Sequence, residues 1–360
     1  MKQTSPTNLL TSEYISELRK LIDGAQNIVI TCHHNPDGDA LGSSLALARF
    51  LKLSGKDATV IIPDAYPDFL QWLPGTQEII RFDKHTEKSE MIFKICDLVF
   101  CLDFNTVGRT GENMSKAISS STAEKILIDH HLEPDIDTAW AWSAPEMCST
   151  SQMVFHIIEA LEKEKATGHA QDSSKTDNTG GIDKQIATCI YCGMMTDTGA
   201  FTYNSTAPEI YNVIARLLSY GINKDKIYRN VFWTSSVNRL RLWGHILQKF
   251  IVSEDGHSAY FTLSRAELKK FCFIKGDAEG LVNMPLQIRG MKLSISLRED
   301  TEQDNLIWVS LRSVDDFPCN KMSEQFFNGG GHKNAAGGRL YCSLEEAEKT
   351  VKRAIAEFKY

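Results

Sequence analysis

Four short apolar runs in the first half of the chain constrain its fold more than any other feature. They lie at residues 27–31, 58–62, 97–103 and 125–129, and helix-like segments such as residues 41–54 separate them. Near-continuous apolar strands that alternate with helices are typical of a parallel sheet covered on both faces. Three of the runs lead into Asp or His, and ligands of such sheets bind at the carboxyl ends of the strands. The pattern predicts an α/β domain whose polar groups meet at one sheet edge.

The second half of the chain has a different pattern. From about Ser258 it shows the two-residue alternation of β-strands, in SAYFTLS, MKLSISLRE and NLIWVSLRS, and it ends in a helix-like segment at residues 344–358. We therefore expect a catalytic domain over residues 1–220, a helical linker over residues 221–255 and a smaller α/β domain over residues 256–360.

Three segments need separate interpretation. Residues 162–184 are rich in charge, Ser, Thr and Gly, which predicts a mobile surface insertion with a solvated His169. Residues 187–195 are apolar and lead into Asp197, and both a helix and a strand fit this pattern. Residues 226–250 are helix-like and are expected to connect the domains.

Length and composition narrow the class of protein. The 360 residues suffice for two domains, and no apolar run approaches the ~20 residues of a membrane span. The polar N-terminus lacks the apolar core of a signal peptide, and nine scattered Cys do not resemble a disulfide framework. A net charge of −7 argues against a non-specific duplex-DNA binder. We expect a cytoplasmic protein that acts neither on duplex DNA nor at a membrane.

The loop TCHHNPDGDALGSS, residues 31–44, carries the first candidate metal ligands. His33, Asp37 and Asp39 lie within seven residues of one another. Mixed oxygen and nitrogen ligands without thiolate favour Mn²⁺, Mg²⁺ or Zn²⁺ over a structural zinc site. Taken alone, the loop fits equally a turn that caps the next helix.

Further acids and imidazoles follow the other apolar segments. Asp103 ends one run, Asp129, His130 and His131 end another, and Asp197 follows a third segment. Burying so many carboxylates at one sheet edge is prohibitively unfavourable without cations. Two metal ions about 3.5–4 Å apart, bridged by a carboxylate, resolve this problem. Such ions also polarise a phosphoryl oxygen and lower the pKa of an attacking water.

Together these motifs resemble those of the DHH phosphoesterase superfamily. HHNPDGDALGS is similar to its first motif, LDF around Asp103 to its second, Asp129-His130-His131 to the motif that names it, and MMTDTGAF to its fourth. GGGHKNAAGG, residues 329–338, resembles the signature of the DHH-associated domain. Within the superfamily, the chain most resembles the oligoribonuclease/pAp phosphatase group, the nanoRNases. The resemblance implies an N-terminal parallel-sheet DHH domain with helices on both faces and a smaller C-terminal α/β domain across a cleft.

The resemblance also implies the metal ligands. The expected ligands of two divalent ions, Mn²⁺ with Mg²⁺ or Co²⁺ as alternatives, are His33, Asp37, Asp39, Asp103, His130 and Asp197. Asp103 is expected to bridge the ions. Asp129 is expected to orient the following imidazoles or to contact a metal, and His131 to meet the scissile phosphate. The family spacing leaves His34 as a lining or surface residue.

A second set of residues is expected to bind substrate. By the resemblance, this set contains Arg312, Gly329, Gly330, Gly331 and His332. Arg109 is similar to a family arginine near the active site, and an ion pair with the metal-site carboxylates fits it as well. Arg289 fits a substrate contact or a surface ion pair. Ser149-Thr150-Ser151 resembles a Ser/Thr turn of the family and fits a helix cap equally.

The resemblance implies a metal-dependent phosphohydrolase. It would release mononucleotides from short oligoribonucleotides and convert 3'-phosphoadenosine 5'-phosphate (pAp) to AMP. A polyphosphatase or pyrophosphatase would use the same ligands without a base-binding surface. A RecJ-like exonuclease needs a longer basic track, and cyclic-dinucleotide phosphodiesterases of the superfamily usually carry extra domains. A non-catalytic nucleotide sensor would normally have lost a metal ligand, whereas all six are present here.

Two further patterns are interpreted as packing. Cys189 and Cys192 have redox or zinc spacing, but they lie in an apolar segment with no second pair nearby, which favours burial in the core. The connecting segment carries apolar side chains that fit either packing or a homodimer contact, namely Trp233, Leu240, Trp243 and Leu247.

Overall fold

The chain forms two compact units. The computed structural model describes residues 10–168, 181–274 and 276–359. The units are Met1–Thr234 and Ser235–Tyr360, so their boundary falls inside the predicted linker.

The first unit alternates strands and helices. Its strands are β1 (Asn27–Thr31), β2 (Asp57–Ile62), β3 (Ile80–Arg81), β4 (Leu98–Leu102), β5 (Glu124–Asp129) and β6 (Trp140–Ser143). Its helices within the described residues are α1 (Ser12–Gly24), α2 (Gly38–Leu53), α3 (Thr86–Ile95), α4 (Glu112–Ser120), α5 (Thr150–Gly168), α6 (Lys184–Asp197), α7 (Pro208–Ser219) and α8 (Lys224–Phe232).

The six strands form one parallel sheet in the order β3-β2-β1-β4-β5-β6. Its two faces carry separate cores, because Ile28 and Ile30 pack on the side of α1, α2, α5 and α6, whereas Val29 packs on the side of α3 and α4. The predicted fold class is therefore confirmed. Strand order reverses between β1 and β4, and such a switch point opens a crevice at the carboxyl ends of the two strands.

Close packing of α2 against α6 fixes two of the elements that carry acidic residues. A Cβ on Gly42 of α2 would lie 2.6 Å from the carbonyl oxygen of Cys189, and a Cβ on Gly193 would lie 1.9 Å from Oγ of Ser151. Only glycine permits these approaches. The apolar segment 187–195, which fitted a helix or a strand, is helical, and both Cys189 and Cys192 are buried free thiols, as interpreted from the sequence.

Helical structure takes up described residues at both ends of the segment 162–184, which was predicted to be an insertion. Helix α5 continues to Gly168, where an ion pair between Arg19 and Glu164 ties it to α1. At the other end, the Asp183 carboxylate accepts hydrogen bonds from the first amides of α6. These contacts hold the end of α5 and the start of α6 in place. His169 lies outside the described residues.

The second unit is a smaller α/β unit. Its strands are β7 (Ile251–Val252), β8 (Ser258–Leu263), β9 (Leu293–Glu299), β10 (Leu306–Ser313), β11 (Gly330–His332) and β12 (Ala335–Tyr341), and its helices within the described residues are α9 (Val237–Lys249), α10 (Arg265–Lys270), α11 (Cys319–Phe326) and α12 (Leu344–Glu357). The sheet order is β11-β12-β10-β9-β8-β7, with β8 and β9 parallel and the other pairs antiparallel. Helices α11 and α12 cover one face.

The connecting segment forms two helices rather than one. Helix α8 ends at Phe232, and the Ser236 hydroxyl accepts the amide of Arg239 to begin α9. The packing interpretation is correct for Trp243, which contacts the second unit's core, and wrong for Trp233 and Leu240, which are 70% and 59% exposed. No helix among the described residues has the length and apolar character needed to cross a membrane.

Candidate metal centre

The predicted ligands of the first unit meet at the carboxyl edge of its sheet. His33 follows β1, Asp103 follows β4 and His130 follows β5, so the site sits at the switch point. Asp37 and Asp39 lie at the start of α2, and Asp197 ends α6. The six residues expected from the sequence are thus brought together from five elements.

Asp103 lies at the middle of the cluster. Its Oδ2 is 3.5 Å from His33 Nε2, and its Oδ1 is 3.5 Å from His130 Nε2. The residue is 2% exposed, and its φ of 64° places it in the left-handed region that non-glycine residues rarely adopt. A strained backbone directly after β4 is a known mark of functional positions. The two oxygens therefore face two different groups of ligand atoms.

The first group contains His33, Asp37 and Asp103, whose ligand atoms all lie within 4.8 Å of one another. Asp37 has two roles. Its Oδ1 accepts the amides of Asp39 and Ala40 at 2.9 and 3.0 Å, and its Oδ2 lies 3.8 Å from His33 Nε2. The helix-cap interpretation and the ligand interpretation are thus both compatible with the same side chain.

The second group contains Asp39, His130 and Asp197, again within 4.8 Å. His130 Nε2 lies 3.4 Å from Asp197 Oδ2. The Asp39 carboxylate accepts the backbone amides of Thr150 and Ser151 at 2.7 and 2.9 Å, at the N-terminus of α5, where a negative charge is stabilised. The Ser/Thr turn therefore holds a predicted ligand in place.

The two imidazoles are held in the orientation that metal binding requires. Nδ1 of His33 lies 2.9 Å from the carbonyl oxygen of His34, and Nδ1 of His130 lies 3.3 Å from that of Met147. A backbone carbonyl accepts only from a protonated nitrogen, so the lone pair resides on Nε2 in the neutral ring. Both Nε2 atoms face the carboxylates.

The electrostatics of the cluster favour added positive charge. Burial, together with the charge of Asp103, raises the pKa of Asp39 to about 7, and burial with the charge of Asp39 raises the pKa of Asp197 well above its usual range. Burial lowers the pKa of His33, but the hydrogen bond to Asp103 and the charges of Asp37 and Asp103 outweigh it and raise that pKa to about 9. Bound protons thus neutralise part of the negative charge of the cluster. Carboxylates and imidazoles are ligands of divalent cations, so such cations would replace these protons when they bind.

Asp129 and His131 form a hydrogen-bonded pair at this cluster, and His131 also forms a third group of possible ligand atoms with Asp103 and His130, within 4.8 Å of one another. His131 Nδ1 lies 2.7 Å from Asp129 Oδ1, and the carboxylate is fully buried. Its Oδ2 has no hydrogen-bond partner among the residues that the structure describes, so the contact with His131 is the main polar contact of this side chain. The pair is placed to orient the imidazole, which is the first of the roles predicted for Asp129.

The rim of the site contains His34, Arg109 and a residue that the sequence analysis missed. The His34 amide donates to the carbonyl oxygen of Arg109 at 2.7 Å, which ties the two loops together. His34 Nε2 lies 3.6 Å from the Asp64 carboxylate, away from the metal-ligand groups, in agreement with its predicted lining position. Asp64 directly follows β2 and its Pro63, so the strand-then-acid pattern is the sequence signal by which it could have been found.

A second missed feature follows Asp197. Gly199, Ala200 and Phe201 all have left-handed backbones, with φ of 53°, 58° and 64°. Consecutive non-glycine residues in this conformation cost about 1–2 kcal/mol each. The Thr198 hydroxyl stabilises the turn by accepting the Phe201 amide at 3.1 Å. No residue pattern short of the tertiary structure would have indicated this conformation.

In the second unit, the glycine-rich motif of residues 329–338 forms two paired strands joined by a turn at residues 333–334. Residues 330–332 form β11 at the edge of the sheet, paired with β12. A Cβ on Gly329 would lie 1.9 Å from the carbonyl oxygen of Gly337, and one on Gly331 would lie 2.6 Å from that of Ala335. The glycines are therefore required for pairing, and their contact with phosphate stays a prediction.

Arg312 and His332 share one face of this sheet. Ala335 of β12 lies opposite both of them, and directly opposite residues of antiparallel strands point to the same side. The structure therefore places two of the predicted substrate residues in one row across three strands. Arg289 is exposed near the end of the loop before β9 and is not part of this row.

Comparison with known proteins gives the family. A model of the DHH family, N-terminal domain, matches residues 27–194, and a model of the DHHA1 domain matches residues 265–359. The bifunctional oligoribonuclease and PAP phosphatase NrnA of Thermus thermophilus is 28% identical over 345 residues, covering 95% of this chain and 93% of that protein. NrnA of Bacillus subtilis is 24% identical over 337 residues, covering 93% and 96%.

A solved structure is similar over the same length. The crystal structure of an exopolyphosphatase-related protein from Bacteroides fragilis has a TM-score of 0.88 and 44% sequence identity, and the match covers 96% of each chain. The parallel-sheet fold and the carboxylate–histidine centre define a metal-dependent phosphoesterase. The chain belongs to the DHH phosphoesterase family, and its second unit contains the DHHA1 domain.

Proposed function

We propose that this protein uses two divalent cations, Mn²⁺ in the first place, to degrade short oligoribonucleotides to mononucleotides and to convert pAp to AMP. The observation that carries the proposal is the position of the Asp103 carboxylate, whose two oxygens face His33 and His130 on opposite sides. The names of the Thermus and Bacillus relatives, oligoribonuclease and PAP phosphatase, support the substrates.

The residues divide into two ligand groups, and Asp103 belongs to the first while its Oδ1 lies 3.5 Å from His130 Nε2 of the second. His33 and Asp37 would hold one cation, and Asp39, His130 and Asp197 the other. When bound, the cations stabilise charge on the phosphoryl oxygens and activate water. The Thr150 hydroxyl donates to Asp103 Oδ1 at 3.1 Å, and the α5 amides hold Asp39, so these carboxylates need little rearrangement.

His131 is the proposed general acid. The Asp129 carboxylate accepts a hydrogen bond from His131 Nδ1 at 2.7 Å, so Nε2 of His131 would be the nitrogen that gives up a proton. Hydrolysis breaks the bond between phosphorus and the leaving oxygen, and that oxygen would take a proton from His131. The attacking water would add to phosphorus as hydroxide and release its proton to solvent, so that the protons balance. Arg109 would stabilise the phosphate from the rim, next to the His34 loop.

The second unit would supply substrate recognition. Arg312 would pair with a phosphate that is not cleaved, and His332 would hydrogen-bond a phosphate or stack on a base. Edge strand β11 would offer backbone amides of its glycines to the same phosphate. Salt dependence should be mild, because few phosphates are gripped.

A second candidate is hydrolysis of polyphosphate. The observation that favours it is the 44% identity to the Bacteroides fragilis protein, which is described as exopolyphosphatase-related. Such an enzyme would use the same ligands without needing a base-binding surface. Activity on nucleotide substrates therefore separates the two.

The test is a turnover assay on the full chain, stripped with EDTA and reloaded with Mn²⁺. The substrates are a 5'-labelled RNA trinucleotide, pAp and inorganic polyphosphate. Release of mononucleotides and AMP supports the proposal, whereas activity on polyphosphate alone favours the second candidate and no activity contradicts both. Asp37→Ala should abolish turnover, while the matched control Asp137→Ala, which removes an exposed carboxylate, should retain it.

A further inference from the structure

The second unit has a pocket of about 650 Å³ whose lining includes Gly329, a predicted substrate residue, together with side chains that have no predicted role. On its floor, Trp308 of β10 lies directly opposite Arg298 of β9 and Arg339 of β12. Opposite residues of antiparallel strands share a face, so two guanidinium groups flank one indole. We call this site, defined by Arg298, Trp308 and Arg339, the Trp308 pocket.

The positive charge of the Trp308 pocket is only partly offset by protein, because the charge of Asp300 acts on Arg298 without forming an ion pair with it. Among the residues that the structure describes, no carboxylate forms an ion pair with Arg298 or Arg339. The hydrogen bonds of Asp300 go to other groups, because its Oδ2 accepts from Trp308 Nε1 at 2.6 Å and its Oδ1 accepts the amides of Glu302 and Gln303. Burial lowers the pKa of Arg298, which reflects the cost of a cation without a full counter-charge. An anion would offset this cost.

The pocket also offers an aromatic stack. The Arg339 guanidinium carbon lies 4.7 Å from the centre of the Trp308 ring. Flat groups of this kind, arginine planes and indoles, are the surfaces on which proteins stack unpaired bases. The hydroxyls of Ser296 and Ser310, which are opposite each other and also line the pocket, add hydrogen-bonding groups.

The Trp308 pocket is separate from the row that holds Arg312 and His332. Trp308 and Arg312 are four residues apart on β10, so they face the same side about 13 Å apart. Gly337, opposite Ser310, lies between the two rows and also lines the pocket. A flexible chain with several phosphates and bases could therefore contact both rows along one face of this sheet.

We propose that the Trp308 pocket binds a second nucleotide of an oligoribonucleotide, beyond the phosphate assigned to Arg312. Its base stacks on Trp308 and Arg339, and its phosphate pairs with Arg298. This inference rests on the proposed function, and it makes a chain of several nucleotides a better substrate than pAp, which has no second nucleotide to place there.

The test compares chain lengths in the full-length protein. Arg298→Met keeps the apolar stem and removes the charge, and Trp308→Leu removes the stack. Each should lower the ratio of kcat/KM for an RNA trinucleotide to kcat/KM for pAp by roughly tenfold, within the range for losing one stacked base. Arg353→Met removes an exposed arginine from α12, on the other face of the sheet, and should leave the ratio unchanged.

Direct binding separates this inference from the proposed function. A fluorescently labelled RNA trinucleotide is titrated into protein in EDTA, and circular dichroism verifies that each variant is folded. If both pocket variants bind the RNA roughly tenfold more weakly than the wild type, the result supports the pocket. This holds even if no substrate is turned over, because a lack of turnover would contradict only the proposed function. Wild-type binding and an unchanged kcat/KM ratio in both variants would overturn the pocket.

Discussion

Without metal, the first unit should lose stability as the pH rises from 6.5 to about 9. In the folded protein the pKa of His33 is raised to about 9 by Asp103 and Asp37, which outweigh its burial, whereas the unfolded residue titrates near 6.5. Between these values the folded protein keeps a proton that the unfolded chain has lost. The stabilisation is therefore fully present below pH 6.5 and disappears as the pH passes 9.

The size of the effect follows from the two pKa values. The interval from 6.5 to about 9 corresponds to about 3 kcal/mol of unfolding free energy. Asp103 and Asp197 raise the pKa of His130 to about 10 against the effect of burial, so His130 acts in the same direction. Its contribution is not added to that of His33, because both imidazoles interact with the same Asp103 carboxylate. For a unit of this length, about 3 kcal/mol lowers the unfolding temperature by roughly 6–12 °C.

The assay is thermal unfolding by circular dichroism in EDTA at pH 6.5, 7.5, 8.5 and 9. Saturating Mn²⁺ should flatten the dependence up to pH 8.5, because the cations take the place of the protons. Asp103→Asn should also reduce it, since the charge that holds both imidazolium groups is gone. An unfolding temperature that stays constant or rises with pH in EDTA would refute this reasoning.

Three further predictions follow from the site. Thr150→Val removes the hydroxyl that donates to Asp103 and should lower kcat roughly fivefold, whereas Thr150→Ser should retain activity in the same turnover assay. His131→Gln should lower kcat by about 10²–10⁴ while calorimetry still detects Mn²⁺ binding, and loss of binding would instead make it a ligand. Gly193→Ala places a Cβ 1.9 Å from a serine hydroxyl of α5 and should lower the free energy of unfolding, measured with denaturant, by about 1–3 kcal/mol. The control is Gly24→Ala, whose Cβ meets no atom within 4 Å. Equal stability of the two variants would contradict the packing argument.

The strands of the first unit were predictable because their sequence pattern is local. The run at residues 27–31 is β1 residue for residue, and the other apolar runs differ from the observed strands by one residue at one end or at both ends. Because parallel strands put their carboxyl ends at one edge, the acids that follow them were expected to meet there. The positions of His33, Asp103 and His130 agree with that expectation.

The helix that ends in Asp197 was harder to predict for a physical reason. Helix α6 is buried on almost every side, so its sequence lacks the polar stripe that reveals a surface helix. The anchoring of Asp39 by the amides of α5 was equally inaccessible, because it joins residues more than a hundred positions apart.

The second unit shows the limit of motif reasoning. The glycines at residues 329–331 were expected to bind substrate, and the structure shows that two of them are required by close packing at the strand pair. Arg298 and Arg339 are 41 positions apart, and only the strand register brings them to the two sides of Trp308. Sequence alone gave no signal for that pocket.

The central claim is that Asp103 lies between two cations. The most direct test is a crystal structure of the Mn²⁺-loaded protein with anomalous diffraction data collected at the manganese edge. We predict two peaks about 3.5–4 Å apart, one beside His33 and Asp37 and the other beside His130 and Asp197, with the Asp103 carboxylate between them. A single peak, or two peaks that do not share Asp103, would contradict the account.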